Sequence, residues 1–83
     1  MAILLAYQRL AQFCAGLSER EKQILEEYFS WEMSLKETAG ALFIHKNILQ
    51  YQLDKIHELT GYNPWKFRDA VILYIGLKLV NVR

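Results

Sequence analysis

The densest run of side chains able to make directed hydrogen bonds lies mid-chain, where His45, Lys46, Asn47, Gln50 and Tyr51 fall close together. Amide side chains such as Asn47 and Gln50 can form paired bonds to an adenine edge, and Lys46 can reach a guanine or a phosphate. Such groups act together only if one element turns them the same way. Leu49, Leu53 and Ile56 recur through the same stretch at the spacing of one helix face. At ~100° per residue, burying that stripe turns Asn47, Tyr51, Asp54 and Glu58 outward. Gln50 and His57 then lie on one flank, Ile48 and Lys55 on the other.

The elements that must hold this face can be read on either side of it. Ser34-Leu35-Lys36-Glu37 has the capping-box pattern, opening a short helix from Leu35 to about Leu42 with Leu35, Ala39 and Leu42 on one side. Small Ala39 stands where two helices must approach. Phe43-Ile44-His45 is too apolar for an exposed loop and too short for a strand, so it is expected to form a tight, partly buried turn. The second helix runs from Lys46 to about Leu59 and stops at Thr60-Gly61, where glycine can close it in the left-handed conformation. Helix, tight turn and helix over residues 34–60 form the arrangement whose second helix sets its N-terminal end into a major groove. Ser34 and the helix start behind it could seat a backbone phosphate.

Further helices flank this core. Ile3, Leu4, Tyr7, Leu10, Ala11 and Cys14 recur at helical spacing and predict a helix over 3–15. A capping box at Ser18-Glu19-Arg20-Glu21 predicts another over 19–31, with Ile24, Leu25, Tyr28 and Phe29 as its apolar stripe. Asn63-Pro64 reads as N-cap and first helical position of a last helix over 64–80. Trp65 and Phe67 are expected to anchor that helix in the core, with base stacking a second reading. The fold class is therefore all-α, a helix-turn-helix bundle of about five helices in a single domain over 1–83.

Composition narrows the function classes. The chain has 83 residues, of which 53% are hydrophobic and 23% charged, so it is globular and near the lower size limit for a self-sufficient core. One cysteine, Cys14, rules out an internal disulfide framework or a multi-cysteine zinc site and fits a reducing, cytoplasmic setting. Cys14 lies on an apolar stripe and reads as a small buried hydrophobe. His45 has no second ligand at metal spacing and reads as a capping or packing residue. His57 reads as a solvated helix residue. The longest uncharged apolar run, Ala70 to Leu77, is far shorter than the ~18 residues of a membrane span. No phosphate-binding glycine loop, nucleophile elbow or metal-spaced cluster is present. We therefore expect no enzyme, no cofactor, no metal and no membrane partner. Formal charge is only +1, unevenly placed: residues 1–35 carry three basic and five acidic side chains, residues 36–83 seven and four.

The run Ser34-Leu-Lys-Glu-Thr38-Ala39-Gly-Ala-Leu42-Phe-Ile44-His45-Lys46-Asn47-Ile48-Leu49-Gln-Tyr51-Gln52-Leu53-Asp-Lys55-Ile56-His-Glu58-Leu59-Thr60-Gly61 resembles the C-terminal helix-turn-helix of the PucR/CdaR group. These are bacterial regulators of purine catabolism and sugar-diacid utilisation. The likeness extends from about Ile24 to about Leu79, and its His-x-Asn-x-Leu-x-Tyr-x-Leu centre is far more specific than a generic helix-turn-helix. Three positions depart from the family pattern. Lys46 replaces an arginine and lacks the planar fork. Ile48 replaces a threonine but can still meet a thymine methyl. Gln52 replaces an arginine and removes a charge, while Asp54 adds an outward carboxylate.

The resemblance implies sequence-specific duplex DNA binding as the output domain of a bacterial transcription regulator. Lys46, Asn47, Ile48, Gln50 and Tyr51 are expected to face base edges, and Ser34, Lys36, His45, Gln52 and Lys55 to face phosphates. The alternative is a helical protein-interaction or dimerisation module that kept the fold and lost its groove-reading charges. Members of the group carry a larger N-terminal sensory region, so an excised domain or a stand-alone descendant is implied. A homodimer is expected, with its surface on Ile3, Leu4 and Tyr7 and on Val71, Tyr74 and Leu77.

Overall fold

Ser18 begins the described helical structure with both halves of its capping box: its Oγ accepts from the Glu21 N–H at 3.1 Å, and its N–H donates to Glu21 Oε1 at 2.8 Å. The structure, a computed structural model, describes residues 16–81. Four helices and no strand are present among them: α1 (Glu19–Ser30), α2 (Leu35–Leu42), α3 (Lys46–Thr60) and α4 (Phe67–Asn81). The helix expected over 3–15 lies outside the described residues, as do Cys14 and the Ile3, Leu4 and Tyr7 part of the expected dimer surface.

α1 is the hub, packing against α2, α3 and α4, while α2 also packs on α3. Ile24, Leu25 and Tyr28 from α1 meet Ala39 from α2, Leu49, Leu53 and Ile56 from α3, and Leu77 from α4 in one buried cluster. Burying each large apolar side chain contributes about 1.5–3 kcal/mol, and these helices are too short to persist without it. Leu77 is 1% exposed, which removes it from the expected dimer surface. Val71 and Tyr74 stay exposed.

The turns hold the helices at fixed angles. After α1 the Met33 N–H donates to the Tyr28 carbonyl at 2.7 Å, with Glu32 and Met33 both left-handed. Ser34 Oγ caps α2 by accepting from the Glu37 N–H at 3.2 Å. The reciprocal half of the expected capping box is not made, because the Ser34 N–H already donates to the Trp31 carbonyl at 3.0 Å. Phe43 closes α2 in the left-handed conformation, at φ 56°. Contrary to the expectation of a partly buried turn, Phe43 is 95% exposed. The reversal returns Ile44 to the seam instead: its N–H reaches the Ala39 carbonyl at 3.0 Å and its side chain packs on the core. Gly61 closes α3 at φ 78°, the conformation that disfavours a Cβ.

The start of α4 departs from expectation. Asn63 and Pro64 form a turn rather than an N-cap and first helical residue: Asn63 Oδ1 accepts from the Trp65 N–H at 3.0 Å and its carbonyl from the Lys66 N–H at 3.1 Å. Regular helix begins at Phe67, once the Lys66 carbonyl accepts from Ala70. The turn is pinned from below by the Tyr28 hydroxyl, which donates to the Pro64 carbonyl at 3.0 Å in a buried contact. Burial pushes the Tyr28 phenol above its ordinary pKa, so it remains a donor. Trp65 and Phe67 are not core anchors. Trp65 is 38% exposed and Phe67 is 75% exposed; Pro64 takes the buried place.

Candidate nucleic-acid interface

The N-terminal end of α3 is set by His45. Its Nδ1 accepts from the Asn47 N–H at 3.0 Å, and its carbonyl accepts from Ile48 and Leu49. Nδ1 can accept only while it carries a lone pair, so this cap places the ring proton on Nε2, at an exposed position. Replacing His45 with alanine should destabilise the domain by about 1 kcal/mol, and asparagine should restore most of it. Urea unfolding of the two variants checks this; equal losses would show that the imidazole acts otherwise than as a cap.

Leu49, Leu53 and Ile56 are fully buried, which fixes the rotation of α3. Lys46, Asn47, Ile48, Tyr51, Asp54, Lys55, His57 and Glu58 are exposed as a result, and Gln50 and Gln52 are half-buried. Asn47, Tyr51 and Asp54 share the outward stripe, with Lys46 and Gln50 beside them. Ile48 and Lys55 form the opposite flank. Gln52 stands apart: at ~100° per residue it lies about 140° round from Asn47, against the buried stripe. Among the described residues, the side chains of Lys46, Asn47, Gln50, Gln52 and Lys55 make no hydrogen bond or ion pair within the chain. The exposed face of α3 therefore presents uncommitted donors and acceptors on a rigid support.

Charge near the helix ends differs between elements. α1 carries Glu19 and Glu21 in its first turn and α2 carries Glu37, but α3 has no acid there and begins with Lys46. A lysine beside the positive end of a helix is locally unfavourable, and an anion brought to that end reverses the sign. Lys36, in the first turn of α2, is also exposed, and Ser34 is half-buried with its Oγ already accepting from Glu37.

Two groups near the face were misjudged or missed from the sequence. Asp54 is not a bare outward carboxylate: the Trp65 indole N–H donates to its Oδ1 at 2.9 Å. Phe43 projects fully into solvent just ahead of His45. Neither position carries a sequence signal of its own, because each depends on how a turn directs a side chain. Among the described residues, no group of three or more His, Cys, Asp or Glu side chains could hold a metal ion. No helix among them is long and apolar enough to cross a membrane.

Comparison with known proteins places this geometry. Residues 22–79 match the family model of the PucR C-terminal helix-turn-helix domain. Over 62 residues the chain is 40% identical to the carbohydrate diacid regulator of Escherichia coli K12, covering 75% of this chain and 16% of that protein. It is 37% identical over 57 residues to the proline-responsive transcriptional activator PutR of Bacillus subtilis, covering 69% of this chain and 14% of that one. The crystal structure of a regulator of polyketide synthase expression from Bifidobacterium adolescentis superposes with a TM-score of 0.77 at 26% identity, over 92% of this chain and 32% of that one. The chain thus spans less than a fifth of these sequence relatives' length. Match and fold agree on one assignment: the chain belongs to the PucR C-terminal helix-turn-helix domain family.

Proposed function

We propose that the domain binds duplex DNA sequence-specifically, as the output module of a transcription regulator of the carbohydrate-diacid type. The observation that carries this reading is the exposed face of α3, where the side chains of Lys46, Asn47 and Gln50 have no hydrogen-bond partner among the described residues. An α-helix and its side chains fit a major groove about 12 Å wide. Lys46, Asn47, Ile48, Gln50 and Tyr51 then meet base edges. Ser34, Lys36, His45 through Nε2, Lys55 and, from its flank, Gln52 meet phosphates.

A single domain of this size with few cations binds weakly, since each phosphate neutralised adds to affinity. We propose that it acts as a homodimer on paired half-sites, which doubles the phosphates and bases engaged. Titrating salt against affinity for a duplex selected from random sequence tests the reading. Log affinity should fall linearly with log salt, and Lys46→Ala should reduce the slope by about one. No detectable binding at low salt would overturn it.

A further inference from the structure

We propose that the turn at residues 63–66 and the start of α4 form a second DNA-contact element, held against α3 by the Trp65–Asp54 bond and gripping phosphates through Lys66 and Arg68. This rests on the DNA-binding reading above.

The placement follows from α3. Asp54 lies about 20° round the helix from Asn47 and about 10.5 Å further along it, on the same outward stripe. The Trp65 indole donates to Asp54 Oδ1 at 2.9 Å, so the turn abuts the third turn of that stripe. Its backbone is held as well. Asn63 accepts from both Trp65 and Lys66, its own N–H donates to Asp69 Oδ2 at 2.9 Å, and Tyr28 secures Pro64 from the core.

Lys66 and Arg68 are both exposed. Lys66 follows Trp65 directly, with adjacent Cα atoms about 3.8 Å apart. Arg68 stands roughly opposite the buried Ala70, Leu73 and Leu77 side of α4 and so points to solvent. Neither makes a hydrogen bond or ion pair among the described residues. A helix with its side chains nearly fills a major groove. Because α3 enters the groove by its N-terminal end, what abuts its third turn sits toward the groove rim, where the phosphates are.

The arrangement also accounts for a carboxylate on the reading face. An exposed Asp54 alone repels phosphates. With an indole N–H on one oxygen, and one cation in the attached turn and another at the start of α4, the same residue becomes the point that ties positive charge to the groove edge.

The test is the salt dependence of binding by the full chain to a duplex selected from random sequence by the wild type. Lys66→Ala and Arg68→Ala together should lower the slope of log affinity against log salt by about 1.8, near 0.9 for each phosphate left without its cation. Affinity for unrelated duplexes should fall equally, because phosphates carry no sequence. Trp65→Phe keeps the ring and removes the donor; it should lower the slope by at least half as much while helicity is retained. Lys78→Ala, on the same helix but over the Tyr74 ring, should leave the slope unchanged. A wild-type slope in the double variant overturns the second DNA-contact element, and so does an equal fall with Lys78→Ala. A wild type that binds no duplex overturns the DNA reading itself, and this inference with it.

Discussion

Replacing Leu53 with alanine should cost the domain more stability than any change on the exposed face of α3. Leu53 is fully buried at the centre of the α3 stripe, within the one cluster that joins all four helices. Leucine-to-alanine changes at such sites cost about 2–5 kcal/mol, the cavity adding to the lost transfer energy. A domain of this length is stable by about 4–12 kcal/mol, so the loss takes a large part of the total. At about 4–8 °C per kcal/mol, the melting midpoint should fall by about 8 °C or more. Glu58→Ala, on the exposed side of the same helix, should change stability by no more than about 0.5 kcal/mol. Thermal melts followed by circular dichroism check both. A Leu53→Ala loss below about 1 kcal/mol would mean that this stripe does not lock α3, and the outward face would lose its structural basis.

Much of this fold was legible because its decisive signals are local. Ser18 and Glu21 sit at capping-box spacing and make both bonds. Leu49, Leu53 and Ile56 repeat at helical spacing, and all three are buried. Gly61 stops α3 in the conformation that glycine favours. The rotation of α3, and with it the exposure of Asn47 and Tyr51, follows from those facts alone.

What escaped the sequence depends on directions set by turns. Phe43 is apolar, but a left-handed C-cap sends its side chain outward and gives the buried place to Ile44. Trp65 looked like a core anchor because large aromatics usually are. Its position follows instead from Asn63, whose side chain and carbonyl take the next two free N–H groups and delay α4 to Phe67. That delay lets the indole meet Asp54, eleven residues away, a pairing that no periodicity encodes. Leu77 was misplaced for a related reason. α4 is apolar on most sides, so hydrophobicity does not say which side meets α1.

The weak overall charge acquires a different meaning from these placements. At +1 the chain lacks the basic excess of many DNA-binding domains. Yet the acids crowd α1, which serves as the packing hub behind the exposed face of α3, and Asp54 is engaged by Trp65. Cations are left without partners where α3 begins and where the Asn63 turn meets it. Position, more than total charge, decides whether phosphates are attracted.

Asn47→Ala should separate recognition from folding more cleanly than any other change on the face. The bond that caps α3 uses the Asn47 backbone N–H, which alanine keeps. The Asn47 side chain is exposed and uncommitted, and alanine is the better helix former, so stability should hold or rise by a few tenths of a kcal/mol. Binding should behave oppositely. A bidentate amide–adenine pair is worth about 1–3 kcal/mol of discrimination, so affinity for the selected duplex should fall roughly 5- to 150-fold. Unrelated duplexes should be bound almost as before, because the groups that meet phosphates are untouched. Gln50→Ala should do the same at a neighbouring base pair, with a smaller loss because its side chain is half-buried. Competition of selected against scrambled duplexes at one fixed salt concentration reads the difference. Equal losses on both would make Asn47 a positioning residue and shift the reading of sequence to Lys46, Gln50 and Tyr51.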